Sequence, residues 1–149
     1  MEEKEMMPDI STLSTLWYSE TKTGEKTQIC YTEEIPALEE TPEQITGSAV
    51  DIDYEFTRPG KVKAGTVEVP VYYTHTQHKR LKGIEKKDLY FFLKYPDNTA
   101  ETVGKPLVKM FQGSLVVIGD TIAVDEFLKD KVTLYRTSKV EESDGFPTV

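Results

Sequence analysis

Two histidines and a single cysteine are the side chains of this 149-residue sequence best suited to metal binding or nucleophilic chemistry near neutral pH. His75 and His78 stand three apart, so on a helix they share a face, and Glu85 or Asp88 offers a carboxylate nearby. No third ligand is marked at metal-binding spacing, and the pair reads as exposed or helix-capping histidines. Cys30 lies in the alternating stretch Thr27-Gln-Ile-Cys-Tyr31 and reads as a small buried hydrophobe with no base paired to it. A lone cysteine also excludes an internal disulfide and a cysteine-built zinc site. Glu33, Glu34, Glu39, Glu40 and Glu43 lie along a segment broken by Pro36 and Pro42, so nothing makes them converge as the paired carboxylates of a glycosidase. Gly113-Ser114 runs into Leu-Val-Val, a buried-strand pattern and not a nucleophile elbow. The glycines match no phosphate-loop spacing. The sequence reads as a non-enzyme without cofactor or metal.

The elements that would carry these residues are mostly strands. Ala49-Val-Asp-Ile-Asp-Tyr-Glu-Phe56 alternates strictly, with Val50, Ile52, Tyr54 and Phe56 on one face and Asp51, Asp53 and Glu55 on the other. That pattern predicts a strand whose apolar face packs into the domain. Further strands are predicted over 13–19, 26–32, 66–73, 89–95, 107–118 and 132–137, all rich in β-branched and aromatic residues. Pro70 removes a backbone donor and consigns the 66–73 strand to an edge or an early end. One short helix is predicted from Thr74 to Gly83: Thr74 and Gln77 fit a capping box, Leu81 and Ile84 share a face, and Lys79, Arg80 and Lys82 suit the negative end of the helix dipole. Two turns of helix must pack on a sheet to persist. The expected fold is mostly β, a β-sandwich or partial barrel with one flanking α-helix. The domain is expected over 13–138, with loops at 33–48 and 57–65 and terminal arms at 1–12 and 139–149.

Composition narrows the function. With 26 acidic against 18 basic residues, a net charge of −8 and a pI near 4.8, the chain is a poor candidate for wrapping DNA or gripping an anionic membrane. The start Met1-Glu-Glu-Lys-Glu-Met-Met-Pro8 lacks the apolar stretch of a signal peptide, and no apolar run approaches the ~20 residues of a membrane span. A soluble intracellular chain in a reducing compartment is expected. Charge is lopsided: residues 1–60 hold 14 acids and 4 bases, residues 61–149 hold 12 acids and 14 bases. Such a layout can orient copies of a protein against one another.

Several phrases, taken in order, resemble the major tail-tube proteins of long-tailed bacteriophages. Leu13-Ser-Thr-Leu-Trp-Tyr-Ser19 is similar to that family's opening strand, and Ile35-Pro-Ala-Leu-Glu-Glu-Thr-Pro-Glu-Gln-Ile45 to its acidic, proline-containing stretch. Val67-Glu-Val-Pro-Val-Tyr-Tyr73 leading into 75–84 resembles its strand-to-helix step, and Phe111-Gln-Gly-Ser-Leu115 with a late strand ending at Ser138 resembles its C-terminal part. The likeness spans residues 13–138; the regular 49–57 segment departs from it. The resemblance implies a protomer that closes into rings, usually six-fold, which stack into a hollow virion tail tube. Its implied partners are copies of itself, tape-measure protein, and tail-terminator or tail-tip proteins. DNA would pass without being bound, no membrane would be involved, and the chain would be made in the host bacterial cytoplasm. Two other readings are a head–tail or tail-completion protein that forms a single ring, and a small monomeric β-barrel binding module with an aromatic-lined pocket.

The residues fit a conduit. A basic wall would hold DNA by counterion release, whereas an acidic wall repels it over a Debye length of about 8 Å. Asp51, Asp53 and Glu55 are the expected lumen-lining acids. The basic, turn-rich Thr57–Gly65 segment, with Arg58, Lys61 and Lys63, is expected to reach Glu33, Glu34, Glu39, Glu40 and Glu43 of an adjacent ring. The arms are expected to order on assembly.

Overall fold

The computed structural model describes residues 14–39, 41–63, 65–96 and 106–146. Its order is β1 (Thr15–Ser19), β2 (Thr27–Ile29), β3 (Gln44–Gly47), β4 (Phe56–Pro59), β5 (Thr66–Tyr72), α1 (His75–Gly83), β6 (Leu89–Lys94), β7 (Leu107–Gly119), β8 (Lys129–Arg136) and β9 (Glu141–Asp144). All six β-rich segments outside 49–56 form strands within two or three residues of the expected bounds. They build one antiparallel sheet in the order β2-β1-β6-β7-β8-β5, and β9 pairs with the first part of β7. The fold is mostly β, a half-barrel with one short helix.

Alternation decides which face of the sheet is buried. Val67, Val69 and Val71 of β5, Val132 and Leu134 of β8, Leu115 and Val117 of β7, Leu89 and Phe91 of β6 and Leu16 of β1 all fall on the concave face and are buried there. Phe91 and Phe111 stack in the middle with ring centroids 5.3 Å apart. Beyond β2 the chain turns at Tyr31, which takes a left-handed φ of 59°, and bonds to the far edge strand. Glu33 N–H donates to the Pro70 carbonyl (2.9 Å), and Tyr72 N–H donates to the Tyr31 carbonyl (2.9 Å). Pro70 therefore sits on the edge of the sheet's last strand, where its missing N–H costs least.

The helix forms as expected but is fastened differently. Thr74 occupies the N-cap with extended backbone, and its side chain makes no cap hydrogen bond. Gln77 does not reach back to Thr74. It is buried, its amide oxygen accepts from Cys30 N–H (2.7 Å), and its amide nitrogen donates to the Cys30 carbonyl (2.9 Å). Cys30 is the one residue between β2 and the 31–33 segment, so the helix supplies the hydrogen bonds that its backbone would find in a ladder. At the other end of α1, Lys82 Nζ donates to the Val117 carbonyl (2.9 Å) and Lys86 N–H to the Leu115 carbonyl (3.1 Å). These contacts cover the edge of β7 past the end of β6.

The C-terminal segment is tied down within the single chain. Glu141–Asp144 pair with Leu107–Met110, and Phe146 lies edge-on to Trp17 and Phe92, whose centroids are 5.4 and 5.8 Å away. Together with Val108 and Met110 these form a second apolar cluster on the convex face. Residues 139–146 are thus no free arm awaiting assembly. Few apolar residues announce β9; its neighbour β7 supplies the backbone ladder. The arm at 1–12 and residues 147–149 lie outside the described residues.

The largest departure from expectation is 49–56. Only Phe56 of this stretch is in a strand; residues 50 and 51 form a turn, closed by Ile52 N–H donating to the Ala49 carbonyl (3.2 Å). Val50, Ile52, Tyr54 and Phe56 are exposed, so their face is not packed into the domain. The segment is the connection of a two-stranded hairpin, β3–β4, and period-two alternation alone cannot supply a partner edge for it.

Candidate assembly surfaces

Hairpin β3–β4 stands apart from the seven-stranded sheet, and seven of its eight strand residues are exposed. An isolated two-stranded ribbon is marginal in water. Internal contacts are few: the Phe56 ring lies against Gly47, and Ile45 lies against Gly60. Its tip carries Asp51, Asp53 and Glu55, all exposed, alongside the exposed apolar set. The three acids are together on one connection, as the sequence suggests, but no strand there separates an acidic face from an apolar one.

Four of the eight charged residues expected to join rings are engaged within the chain. Lys63 pairs with Glu43 (2.9 Å) across the hairpin base, where Glu43 N–H also donates to the Lys61 carbonyl (2.9 Å). Glu33 binds Lys129 of β8 (3.0 Å), and Glu39 hydrogen-bonds Lys109 of β7. The Glu39 carboxylate raises the Lys109 pKa above its usual 10.5, and Glu33 does the same to Lys129. These pairs fasten the 31–39 loop to the sheet; Leu38 is buried beneath it and its carbonyl accepts from the Arg136 guanidinium. Three of the five acids therefore hold the chain's own loops, Glu33 and Glu39 through lysines of the sheet and Glu43 through Lys63 at the hairpin base. Glu34 is exposed, and Glu40 lies outside the described residues. Arg58 and Lys61 are exposed and form no ion pair with a described residue.

The two histidines part company. His75 Nδ1 lies 3.4 Å from the Tyr73 hydroxyl on the surface, while His78 Nδ1 lies 2.8 Å from Asp130, a buried carboxylate of β8. No group of three metal-ligating side chains occurs among the described residues. A cleft of about 670 Å³ lies between the hairpin base and the end of β8, lined by Lys61, Val62, Lys63, Arg136, Lys139 and Val140 among others. No aromatic residue among the described residues lines it. No helix among the described residues is long and apolar enough to cross a membrane.

A second exposed apolar surface escaped the sequence reading. The connection 120–128, between β7 and β8, exposes Ile122, Val124 (89%) and Phe127 (81%), with Ile118 and Leu128 beside them. Of its acids, Asp120 accepts from Thr121 N–H (2.7 Å), Glu126 helps raise the pKa of Lys129, and Asp125 makes no ion pair with a described residue. The signal available was the apolar run Ile122-Ala-Val124 in a segment without strand partners.

No protein-family model matches this sequence, and no curated protein matches it. Among solved structures it is similar to a chain in the six-fold symmetrised cryo-EM structure of the anti-feeding prophage (AFP) baseplate. The superposition covers 93% of this chain and 97% of that one, with a TM-score of 0.62 and 7% sequence identity. The two chains share a fold.

Proposed function

We propose that this chain is a non-enzymatic structural protomer of a phage tail-type assembly, forming rings that stack into the tail tube. The observation that carries the reading is the β3–β4 hairpin: apolar side chains held in water on a ribbon too small to stabilise itself call for a neighbouring copy. The shared fold with a chain of a six-fold baseplate supports a ring as the form that neighbour takes. Copies joined head to tail close by rotation into such a ring. The virion tail is the corresponding location, and other tail proteins, tape-measure and terminator among them, are the corresponding partners. A single baseplate or completion ring is the second reading, and the baseplate origin of the similar chain favours it.

Asp51, Asp53 and Glu55 are the proposed lumen acids. Repeated around a ring they make an electronegative band, and a band of that sign spares DNA the counterion release that would hold it. Virions built from an Asp51→Asn/Asp53→Asn/Glu55→Gln protomer are expected to form normal tails and to eject their genome more slowly. Unchanged ejection kinetics would remove these residues from the lumen. The protomer reading itself is tested by sedimentation velocity of the purified full chain: mass rising with concentration supports it, and a monomer at every concentration opposes it.

A further inference from the structure

Two surfaces on this chain lack a cover, and each exposes large apolar side chains. The hairpin presents Val50, Ile52, Tyr54 and Phe56 with the acids Asp51, Asp53 and Glu55 and the cations Arg58 and Lys61; the 120–128 connection presents Ile122, Val124 and Phe127 with the anions Asp120, Asp125 and Glu126. Arg58, Lys61 and Asp125 form no ion pair with a described residue, while Glu126 helps raise the pKa of Lys129 and Asp120 accepts from Thr121 N–H (2.7 Å). Both surfaces are apolar patches of the kind that mark contacts with other molecules.

Their placement matters as much as their chemistry. The hairpin returns through 60–65 into β5, whose first residue Thr66 pairs with Tyr135 at the C-terminal end of β8. The 120–128 connection enters the N-terminal end of β8, where Asp120 N–H donates to the Lys129 carbonyl (3.1 Å). Eight residues of β8 therefore separate them, about 26 Å at the usual strand rise. Patches at opposite ends of one strand cannot meet within a protomer, whereas translation along that strand brings the hairpin of one copy onto the connection of the next.

We infer that the β3–β4 hairpin of each copy docks on the 120–128 connection of a second copy, a heterologous contact directed along β8. The strict alternation of 49–56 then gains a purpose: a segment coded for a strand, but lacking an apolar surface to lie on in the single chain, finds one on its neighbour. Val50, Ile52, Tyr54 and Phe56 meet Ile122, Val124 and Phe127, Arg58 meets Asp125 or Glu126, and Asp51, Asp53 and Glu55 stay on the open side. The contact rests on the protomer reading and names the partner surface for its stacking step.

The test uses two variants of the full chain, Ile52→Ser/Tyr54→Ser and Val124→Ser/Phe127→Ser, whose replaced side chains are solvent-exposed, so circular dichroism should report unchanged folds. Each alone is expected to need about tenfold more protein, or beyond, for half-assembly by sedimentation velocity. Mixed in equal amounts they retain one intact hairpin and one intact connection per pair. They should therefore form a single-contact complex that neither forms alone, with residues 49–56 gaining protection from amide hydrogen exchange. Adding Arg58→Glu to the connection variant should weaken that complex, and Glu126→Arg in the hairpin variant should restore it. Wild-type stacking that survives in both variants would overturn this contact and leave the protomer reading standing. A wild-type dimer lost in both variants and regained on mixing, without rings or tubes, would uphold the contact and count against the tail tube. A wild-type monomer at every concentration would overturn both.

Discussion

A Gln77→Leu protein is expected to lose about 2–4 kcal/mol of stability, read as a fall of about 10 °C in melting temperature. Gln77 is buried on α1 and makes two hydrogen bonds to one residue, Cys30, at the break between β2 and the segment that joins β5, while its amide oxygen also accepts a long bond from Arg80 (3.5 Å). Leucine matches its volume and helix propensity, so packing and helix formation change little. What changes is that Cys30 N–H and carbonyl lose their partners in a partly buried site, and unmet backbone groups of that kind cost about 1–3 kcal/mol each. Gln77→Glu separates the two bonds. At neutral pH its carboxylate still accepts from Cys30 N–H but opposes the Cys30 carbonyl. Protonation restores a donor, so the carboxyl titrates higher in the folded than in the unfolded chain. Its penalty is therefore absent at low pH and grows as pH rises through the folded pKa. Thermal melts of both variants between acid and neutral pH check this; a Gln77→Glu penalty independent of pH would show that Cys30 is satisfied some other way.

Gly113→Ala is expected to be worse, costing about 3 kcal/mol or more and leaving little soluble protein. A methyl group at Gly113 would sit 2.1 Å from the carbonyl oxygen of Tyr135 and 3.0 Å from its carbonyl carbon. Those are backbone atoms of β8, and Gly113 is where β7 is paired on both sides, to Leu89 of β6 and Arg136 of β8. Neither neighbour can give way without opening a ladder in the middle of the sheet. Gly119→Ala is the control. Nothing lies within 4 Å of its added methyl, and its denaturation midpoint should stay near wild type. Equal midpoints for the two variants would contradict the geometry at Gly113.

These two residues also mark where the sequence was legible and where it was not. Segments with apolar alternation and a continuous partner edge were readable, because burial on one sheet face imposes the same period that the eye detects. Hence the strands predicted over 66–73 and 107–118 form, and their alternate residues Val67, Val69 and Val71, and Leu115 and Val117, are buried in the core. Pro70 gave its strand's edge position for the same local reason. Gln77 illustrates the opposite case. Its spacing from Thr74 fits a cap, yet a residue 47 positions away claims its amide, and no local rule sees that competition. The acids told a similar story: Glu33, Glu39 and Glu43 were expected to meet Arg58, Lys61 and Lys63 of an adjacent ring, while Lys129, Lys109 and Lys63 of the same chain reach them through the folded topology. β9 was missed because its sequence is polar and its pairing with β7 is long-range.

The 49–56 segment is the instructive failure. Its pattern satisfies the strand rule better than any other, and the single chain offers it no surface. Local code and isolated structure disagree at this segment, and that disagreement is the physical ground on which we propose that this chain is one piece of a larger object.

Electron microscopy of the purified full chain in negative stain, across a series of concentrations, tests that idea most directly. Closed rings that stack into hollow tubes as concentration rises are the predicted result. Solitary particles of the single chain at every concentration would contradict it.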